Sequence, residues 1–208
     1  MAFAALKWVS IGVATSIIAY ANLPARFYAI QKASEKILAA AKLQRLDPSN
    51  SESIVAGELW KMNGAVVMAV RRPGWSLCRE EAAQLSKLAP TLSKLKVPLI
   101  AVLHEELGYN EFSNFFNGQI FYDPTKCFFG PVERRLFMLG FLRLQTYINI
   151  FKAESKGNLK GDGTLLGGVY VIGPGDSGII FEHREKYWGD YVNSTDVIKA
   201  VEKMSKSN

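Results

Sequence analysis

Apolar residues along the chain change period several times, and each change marks an element. Trp8 to Leu23 run almost wholly apolar (WVSIGVATSIIAYANL) ahead of Pro24-Ala25-Arg26. That length falls at the lower edge of the ~17–25 residues that span a bilayer and overlaps the apolar region of a signal peptide. Ala19-Tyr20-Ala21 supplies the small-x-small pattern that a signal peptidase reads. Residues 1–25 are therefore expected to be a signal anchor or a cleaved signal, with an amphipathic or buried N-terminal helix as the remaining option. From Arg26 to Leu46 apolar residues recur at helical spacing between Lys and Arg, which predicts an amphipathic helix able to lie on a membrane surface. The polar, turn-forming run Asp47 to Ser53 completes this second region, 26–53, and the folded domain is expected over 54–208.

Within that domain, Ala65 to Val70 (AVVMAV) is a continuous Val-rich run, the mark of a strand buried on both faces. Arg71-Arg72-Pro73-Gly74 ends it. Leu77, Ala82, Leu85, Leu88, Leu92 and Leu95 then recur at three- and four-residue spacing, so a helix is predicted from near Cys78 to Leu95, kinked at Pro90. Val97 to Leu103 is a second apolar strand, making a strand–helix–strand unit with parallel strands and a right-handed crossover. Tyr109 to Phe116 reads as a short helix, Gln119 to Tyr122 as a strand and Pro131 to Phe151 as a longer helix. Gly168 to Ile172 and Gly178 to Glu182 flank the turn Gly173 to Ser177 as a hairpin, and Ser194 to Met204 closes the chain as a helix. The order predicts an α/β domain with a mixed sheet between helical layers, the thioredoxin-like arrangement with an insertion before its last hairpin.

Composition narrows the function. With 208 residues, 49% of them apolar and 21% charged, the chain builds one core and is neither disordered nor fibrous. The net charge of +6 comes from 25 basic and 19 acidic residues spread along the chain, which argues against nucleic acid as a partner. Two cysteines and two histidines are too few for a disulfide scaffold or structural zinc, and no cofactor or metal is expected. The sequon Asn193-Ser194-Thr195 matters only if the domain faces the secretory lumen.

The chemistry gathers at Cys78. A cysteine in the first turn of a helix faces unpaired N–H groups and the positive end of the helix dipole, and both favour thiolate. Arg71, Arg72 and Arg79 add positive charge, while Glu80 and Glu81 oppose it. A depressed thiol pKa is thus expected, and such a thiolate attacks peroxide or disulfide sulfur. The position three residues before it, where a C-x-x-C motif holds a second thiol, is Trp75, so an internal dithiol is excluded. Elsewhere Cys127 reads as a packing residue and His183-Arg184 as a strand edge, and Arg134, Arg135 and Arg143 read as the charged face of the long helix.

The segments Asn63 to Gly74 (NGAVVMAVRRPG) and Leu77-Cys78-Arg79-Glu80-Glu81-Ala82 resemble the peroxiredoxin-like 2 family. So do Gly157-Asn158-Leu159, Gly167-Gly168-Val169 and Glu182-His183-Arg184-Glu185-Lys186, and together these cover most of the chain from Leu59 to Met204. The resemblance implies a thioredoxin fold, an apolar N-terminal segment, and a redox-regulatory antioxidant role in cytoplasmic or secreted form. It also implies a Pro-Gly-Cys-x-x-Cys site, in which Pro73 keeps its place, Cys78 matches the second cysteine and Trp75 replaces the first. Peroxiredoxins carry Thr or Ser at the place of Trp75, which lacks a hydroxyl to orient a peroxide. Three functions stay open: a redox-regulatory antioxidant using Cys78 alone with an external thiol reductant of thioredoxin or glutathione type; a prostaglandin-endoperoxide reductase like a sister branch; and a binding module without chemistry. Membrane association through 8–23 is a further expectation.

Overall fold

The computed structural model describes residues 2–23, 30–46, 52–136, 138–153, 157–158 and 160–206. Its centre is a seven-stranded mixed sheet in the order β2-β1-β5-β4-β3-β6-β7. The strands are β1 (Lys42–Arg45), β2 (Ser53–Val55), β3 (Ala65–Val70), β4 (Leu99–Leu103), β5 (Gln119–Tyr122), β6 (Gly168–Ile172) and β7 (Ile179–Arg184). Strands β3, β4 and β5 run parallel, β6 joins β3 antiparallel, and β7 continues from β6 as the predicted hairpin.

β3, β4 and β6 are buried along their whole length because both faces of the sheet are covered. The two-residue period divides β3 between two cores. Val66, Met68 and Val70 pack with α3 (Ser76–Ser86), α4 (Ala89–Lys94), α5 (Tyr109–Ser113) and α8 (Ser194–Lys206). Ala65, Val67 and Ala69 pack with Trp60, Phe128, Phe129 and Leu38 of α2 (Glu35–Ala39). The α/β architecture and the order of the central elements are those predicted.

Three of the expected helices differ in the structure. Of the helix expected over 26–46, residues 26–29 lie outside the described residues; over the rest it is the single turn of α2, and Lys42–Arg45 is a strand instead. Leu43 is fully buried and β1 pairs with both β2 and β5, so sheet pairing overrides a helical period that the same residues also satisfy. The sheet consequently begins before residue 54, and of the expected linker 47–51 lies outside the described residues. The helix expected from Cys78 to Leu95 is two helices, because Pro90 has no N–H to carry a helix through and stands instead in the first turn of α4. The helix expected from Pro131 to Phe151 is also divided, into α6 (Met138–Phe141) and α7 (Leu144–Lys152). Ahead of α6, residues 134–136 run extended: Leu136 N–H donates to Thr164 O at 2.7 Å and Leu166 N–H to Arg134 O at 2.8 Å. Arg134, Arg135 and Arg143 are accordingly not one helical face. Arg134 and Arg143 grip backbone carbonyls, and Arg135 pairs with Glu133 and Asp162.

At the N-terminus α1 (Ala2–Ala21) is a 20-residue helix whose end is fastened to the α6–α7 junction. Among the described residues no helix is long and apolar enough to cross a membrane. At the other end Asn193 caps α8, its Oδ1 accepting from Thr195 N–H at 2.9 Å.

The turn into β3 depends on Gly64. Its φ is +72°, and a Cβ there would come within 2.4 Å of Met204 Sδ on α8 and 2.6 Å of Ile172 O on β6. Gly64→Ala should therefore destabilise by more than ~1 kcal/mol, since the backbone conformation and the space both refuse a side chain. Chemical denaturation of the variant beside the parent measures this, and an unchanged midpoint would contradict the packing described.

Candidate functional site

The site is assembled where β3 leaves the sheet. Arg72-Pro73-Gly74-Trp75 forms a turn closed by Trp75 N–H to Arg72 O at 3.1 Å, with Pro and Gly at its two central positions as such turns favour. Trp75 is the extended N-cap residue of α3, and Ser76, Leu77 and Cys78 make its first turn. The turn is held from outside by Arg79 Nε on Pro73 O at 3.3 Å and by Asn158 N–H on Gly74 O at 2.8 Å. Gly157 lies so close that a Cβ would stand 2.2 Å from Ser76 N. The sequence thus places Cys78 correctly at a helix start after a buried strand, while Glu80 and Glu81 fall in the second turn.

Cys78 is only 3% exposed and its thiol is free. Burial pushes the thiol up to about 11, outweighing the Arg71 charge and the Arg72 backbone N–H, which both favour thiolate; the carboxylates of Glu185 and Glu81 raise it further. The expected depressed pKa is corrected here. The positive groups are present, but the site that holds them is dry. Arg79 takes a different part from the one expected, since its Nε is committed to the Pro73 carbonyl and its guanidinium lies over Phe115 at 5.6 Å.

Arg71 is 1% exposed and gives its Nε to Glu185 Oε2 at 3.2 Å. Burial opposes its charge, yet Glu185, Cys78 and Glu81 together raise its pKa above the ordinary value. Its Nη1 and Nη2 have no hydrogen-bond partner among the described residues. Trp75 lies against this guanidinium, 4.2 Å from ring centroid to Arg71 Cζ, with Arg72 Cζ at 5.1 Å. Trp75 in turn meets the edge of Trp188 at 5.5 Å, and Trp188 meets Phe141 at 4.8 Å. The residue standing in for a second thiol therefore acts as an aromatic cover over the buried arginine.

Three contributors carried no assigned role in the sequence: Glu185, Trp188 and Tyr191. Glu185 belongs to the quoted segment Glu182–Lys186, so its presence was visible, but its pairing with Arg71 joins residues 114 apart. Tyr191 is held well above the ordinary tyrosine range by burial and by Glu81 and Cys78. His183 and Arg184 are edge residues as expected: His183 Nε2 bonds to Asp190 O at 2.7 Å, and Arg184 donates to the carbonyls of Gly130 and Phe129. Cys127 is half-buried in a short turn, 3.2 Å from Thr125 Oγ1. Among the described residues no cluster of His, Cys, Asp and Glu is able to hold a metal ion.

Glu81 is a strongly displaced carboxyl of the site. Burial, then Glu185, raise it from 4.5 to about 8, with Asp190 adding to the rise, while Val192 N–H at 3.1 Å and Arg71 oppose it. Glu81 is thus protonated in the fold at neutral pH. A carboxyl whose pKa is higher folded than unfolded stabilises the fold below the unfolded value and loses that contribution as pH rises through the folded one. Glu81→Gln keeps the acceptor for Val192 and removes the titration. The variant should gain on the parent by ~2 kcal/mol or more between pH 4.5 and 8, each unit of displacement corresponding to about 1.4 kcal/mol, and the difference should level off above pH 8. Thermal unfolding of both proteins across pH 4 to 9 measures it, and a difference that is flat with pH would rule out a neutral Glu81.

The comparisons with known proteins agree with this architecture. Residues 84–187 match the family model described as AhpC/TSA antioxidant enzyme. Peroxiredoxin-like 2A of Gallus gallus is 46% identical over 200 residues, covering 94% of this chain and 89% of that protein. Peroxiredoxin-like 2A of Homo sapiens is 44% identical over 197 residues, covering 92% and 86%. Among solved structures, Xanthomonas campestris peroxiredoxin Q superposes with a TM-score of 0.57 at 12% identity, over 85% of this chain and 98% of that one. Peroxidoxin BcpB of Mycobacterium tuberculosis gives 0.52 at 12% identity, over 86% and 99%. The two structures establish the thioredoxin-like peroxiredoxin fold, and with relatives this similar over nearly the whole chain, the protein belongs to the peroxiredoxin-like 2A family.

Proposed function

We propose that the protein is a redox-regulatory antioxidant protein that reacts through Cys78 alone, and that Trp75 governs when the thiol reacts. The observation that carries this reading is the stacking of Trp75 on Arg71, the one buried cation that both favours the Cys78 thiolate and keeps two N–H-bearing nitrogens unpartnered among the described residues. When Trp75 moves off the guanidinium, water reaches Cys78, the desolvation that opposes its ionisation falls, and Arg71 becomes available as a donor.

The thiolate then attacks one oxygen of a hydroperoxide. An S–O bond forms as the O–O bond breaks, the departing alkoxide takes a proton from water and leaves as the alcohol, and Cys78 becomes a sulfenic acid. Arg71 stabilises the charge that develops on the departing oxygen. With Trp75 in place of a resolving thiol, an external thiol of thioredoxin or glutathione type condenses with the sulfenic acid, releasing water and leaving a mixed disulfide. A second external thiol attacks the outer sulfur of that disulfide and returns Cys78 to the thiol.

The burial of Cys78 supports a second reading, a binding module in which no chemistry remains. Nothing favours the prostaglandin-endoperoxide reductase of the sister branch, whose first cysteine Trp75 replaces.

In a Cys127→Ser background, leaving Cys78 as the only thiol, alkylation of the parent should be slow at neutral pH and accelerate only well above pH 9. Trp75→Ala should lower the titration midpoint by ~1 unit or more and raise the sulfenic acid formed at pH 7.4 by ~10-fold, a unit of pKa being a tenfold change in thiolate. Trp75→Phe, which keeps a ring over the arginine, should stay slow. Mass spectrometry after substoichiometric peroxide reads the product, and absence of sulfenic acid and mixed disulfide from all three proteins would select the binding module. Separately, Trp75→Cys restores the C-x-x-C spacing and should confer reduction of insulin disulfides; a folded but inactive variant would show that the scaffold no longer supports dithiol exchange.

A further inference from the structure

Helix α7 is built inside out. Leu144, Tyr147, Ile148 and Phe151 recur at helical spacing and face outward, Leu144 being 70% and Phe151 86% exposed. Two of its polar side chains, Thr146 and Asn149, face the domain instead. Thr146 is 2% exposed with Oγ1 directed at Trp188 O, and Asn149 Nδ2 donates to Gly189 O at 2.7 Å. A surface helix in water shows the opposite arrangement, with its apolar stripe turned to the core. Phe141 of α6 extends the outward face.

This face is continuous with α1. Asn22 Nδ2 donates to Leu142 O at 2.9 Å and Asn22 Oδ1 accepts from Leu144 N–H at 3.0 Å. Arg143 reaches the carbonyls of Ala21 and Leu23, both at 3.1 Å. The C-terminal end of α1 is therefore clamped beside the start of α7. On α1, Ile11, Val13, Ile17 and Ile18 are exposed, and at 100° per residue Ile11 and Val13 point to opposite sides. A helix that exposes apolar side chains around its circumference is matched by hydrocarbon rather than by a groove touching one side. Trp8 and Tyr20, amphipathic aromatics of the kind enriched at membrane interfaces, flank this apolar run.

Charge identifies the lipid. α1 and residues 138–152 hold no Asp or Glu; Lys152 is exposed at the end of α7 and the sequence puts Lys7 on α1, whereas Arg143 is buried and committed to the α1 carbonyls, so the positive charge of this face comes from the two lysines in a chain of net charge +6. We propose that α1 and the outward face of α7 form one membrane seat, on which the folded domain lies against an anionic bilayer without spanning it. The distance from Trp8 to Tyr20 is about 18 Å along the helix, against a hydrocarbon core of about 30 Å, so these residues enter the bilayer only in part.

The test is sedimentation of the full chain with vesicles of phosphatidylcholine containing phosphatidylserine, beside vesicles of phosphatidylcholine alone. The full chain should sediment with the anionic vesicles and be released by salt. Ile148→Glu with Phe151→Glu, two exposed positions whose replacement leaves the core untouched, should cut the bound fraction by ~10-fold or more. Circular dichroism and Cys78 alkylation unchanged from the parent confirm that the variant is folded. Parent-like binding by the folded variant would overturn the assignment of α7, and equal binding to neutral vesicles would overturn the assignment of the lipid. A chain that ignores both vesicles but forms a dimer broken by the double variant would show that a second copy covers this face.

Discussion

The site rests on one buried ion pair, Arg71 with Glu185. Glu185 Oε2 receives Arg71 Nε at 3.2 Å and Gly167 N–H at 2.7 Å, while Arg134 donates to the Glu185 carbonyl. Four stretches of chain therefore meet at one residue: the exit of β3 and the entry to β6 at its carboxylate, the extended segment around residue 134 at its backbone carbonyl, and the exit of β7 that carries it. Taking two charges out of water costs several kcal/mol for each, and the pair repays this only with good geometry and further hydrogen bonds. Losing either partner leaves the other buried and uncompensated, at ~3–5 kcal/mol. What the pair confers is position. It sets the β6–β7 hairpin against the exit of β3, and so places the arginine before α3 begins.

Cys78 then answers to two opposed effects that come from the same packing. Arg71 and the Arg72 N–H favour thiolate, whereas the packing that keeps Arg71 dry also keeps Cys78 dry, and desolvation is the larger effect. The negative partners sharpen this: Glu185 neutralises much of the arginine's charge, and Glu81 responds to the same environment by holding its proton. Counting arginines in the sequence gives the sign of the charges around the thiol but not how far water is excluded.

That limit explains what could be read from the chain and what could not. β3, β4 and the start of α3 were legible because local pattern determines them: a six-residue apolar run, a Pro-Gly turn, then a helical period. The segment at 42–45 was not, because Leu43 suits a helix stripe as well as a strand and only its neighbours β2 and β5 decide between them. The long helix around residue 140 failed for the same reason, residues 134–136 being recruited to pair with 164–166. Within the site, Cys78, Trp75 and the Arg-Arg-Pro-Gly turn are neighbours in sequence and were found together. The partners that decide their chemistry, Glu185 and Trp188, come from the far end of the chain.

Trp75 unites these effects. A small thiol at the start of α3 would leave the guanidinium face of Arg71 uncovered, open to water and to an incoming oxyanion. An indole in that place covers it at 4.2 Å and is itself buttressed by Trp188, which Phe141 supports from outside. One residue thus stands where the first cysteine of a C-x-x-C pair would be and covers the arginine whose charge favours thiolate at the second position, Cys78. Since Phe141 belongs to α6, immediately before the outward-facing apolar stripe of α7, that stack is anchored at one end to Cys78's own helix and at the other to the surface least suited to water.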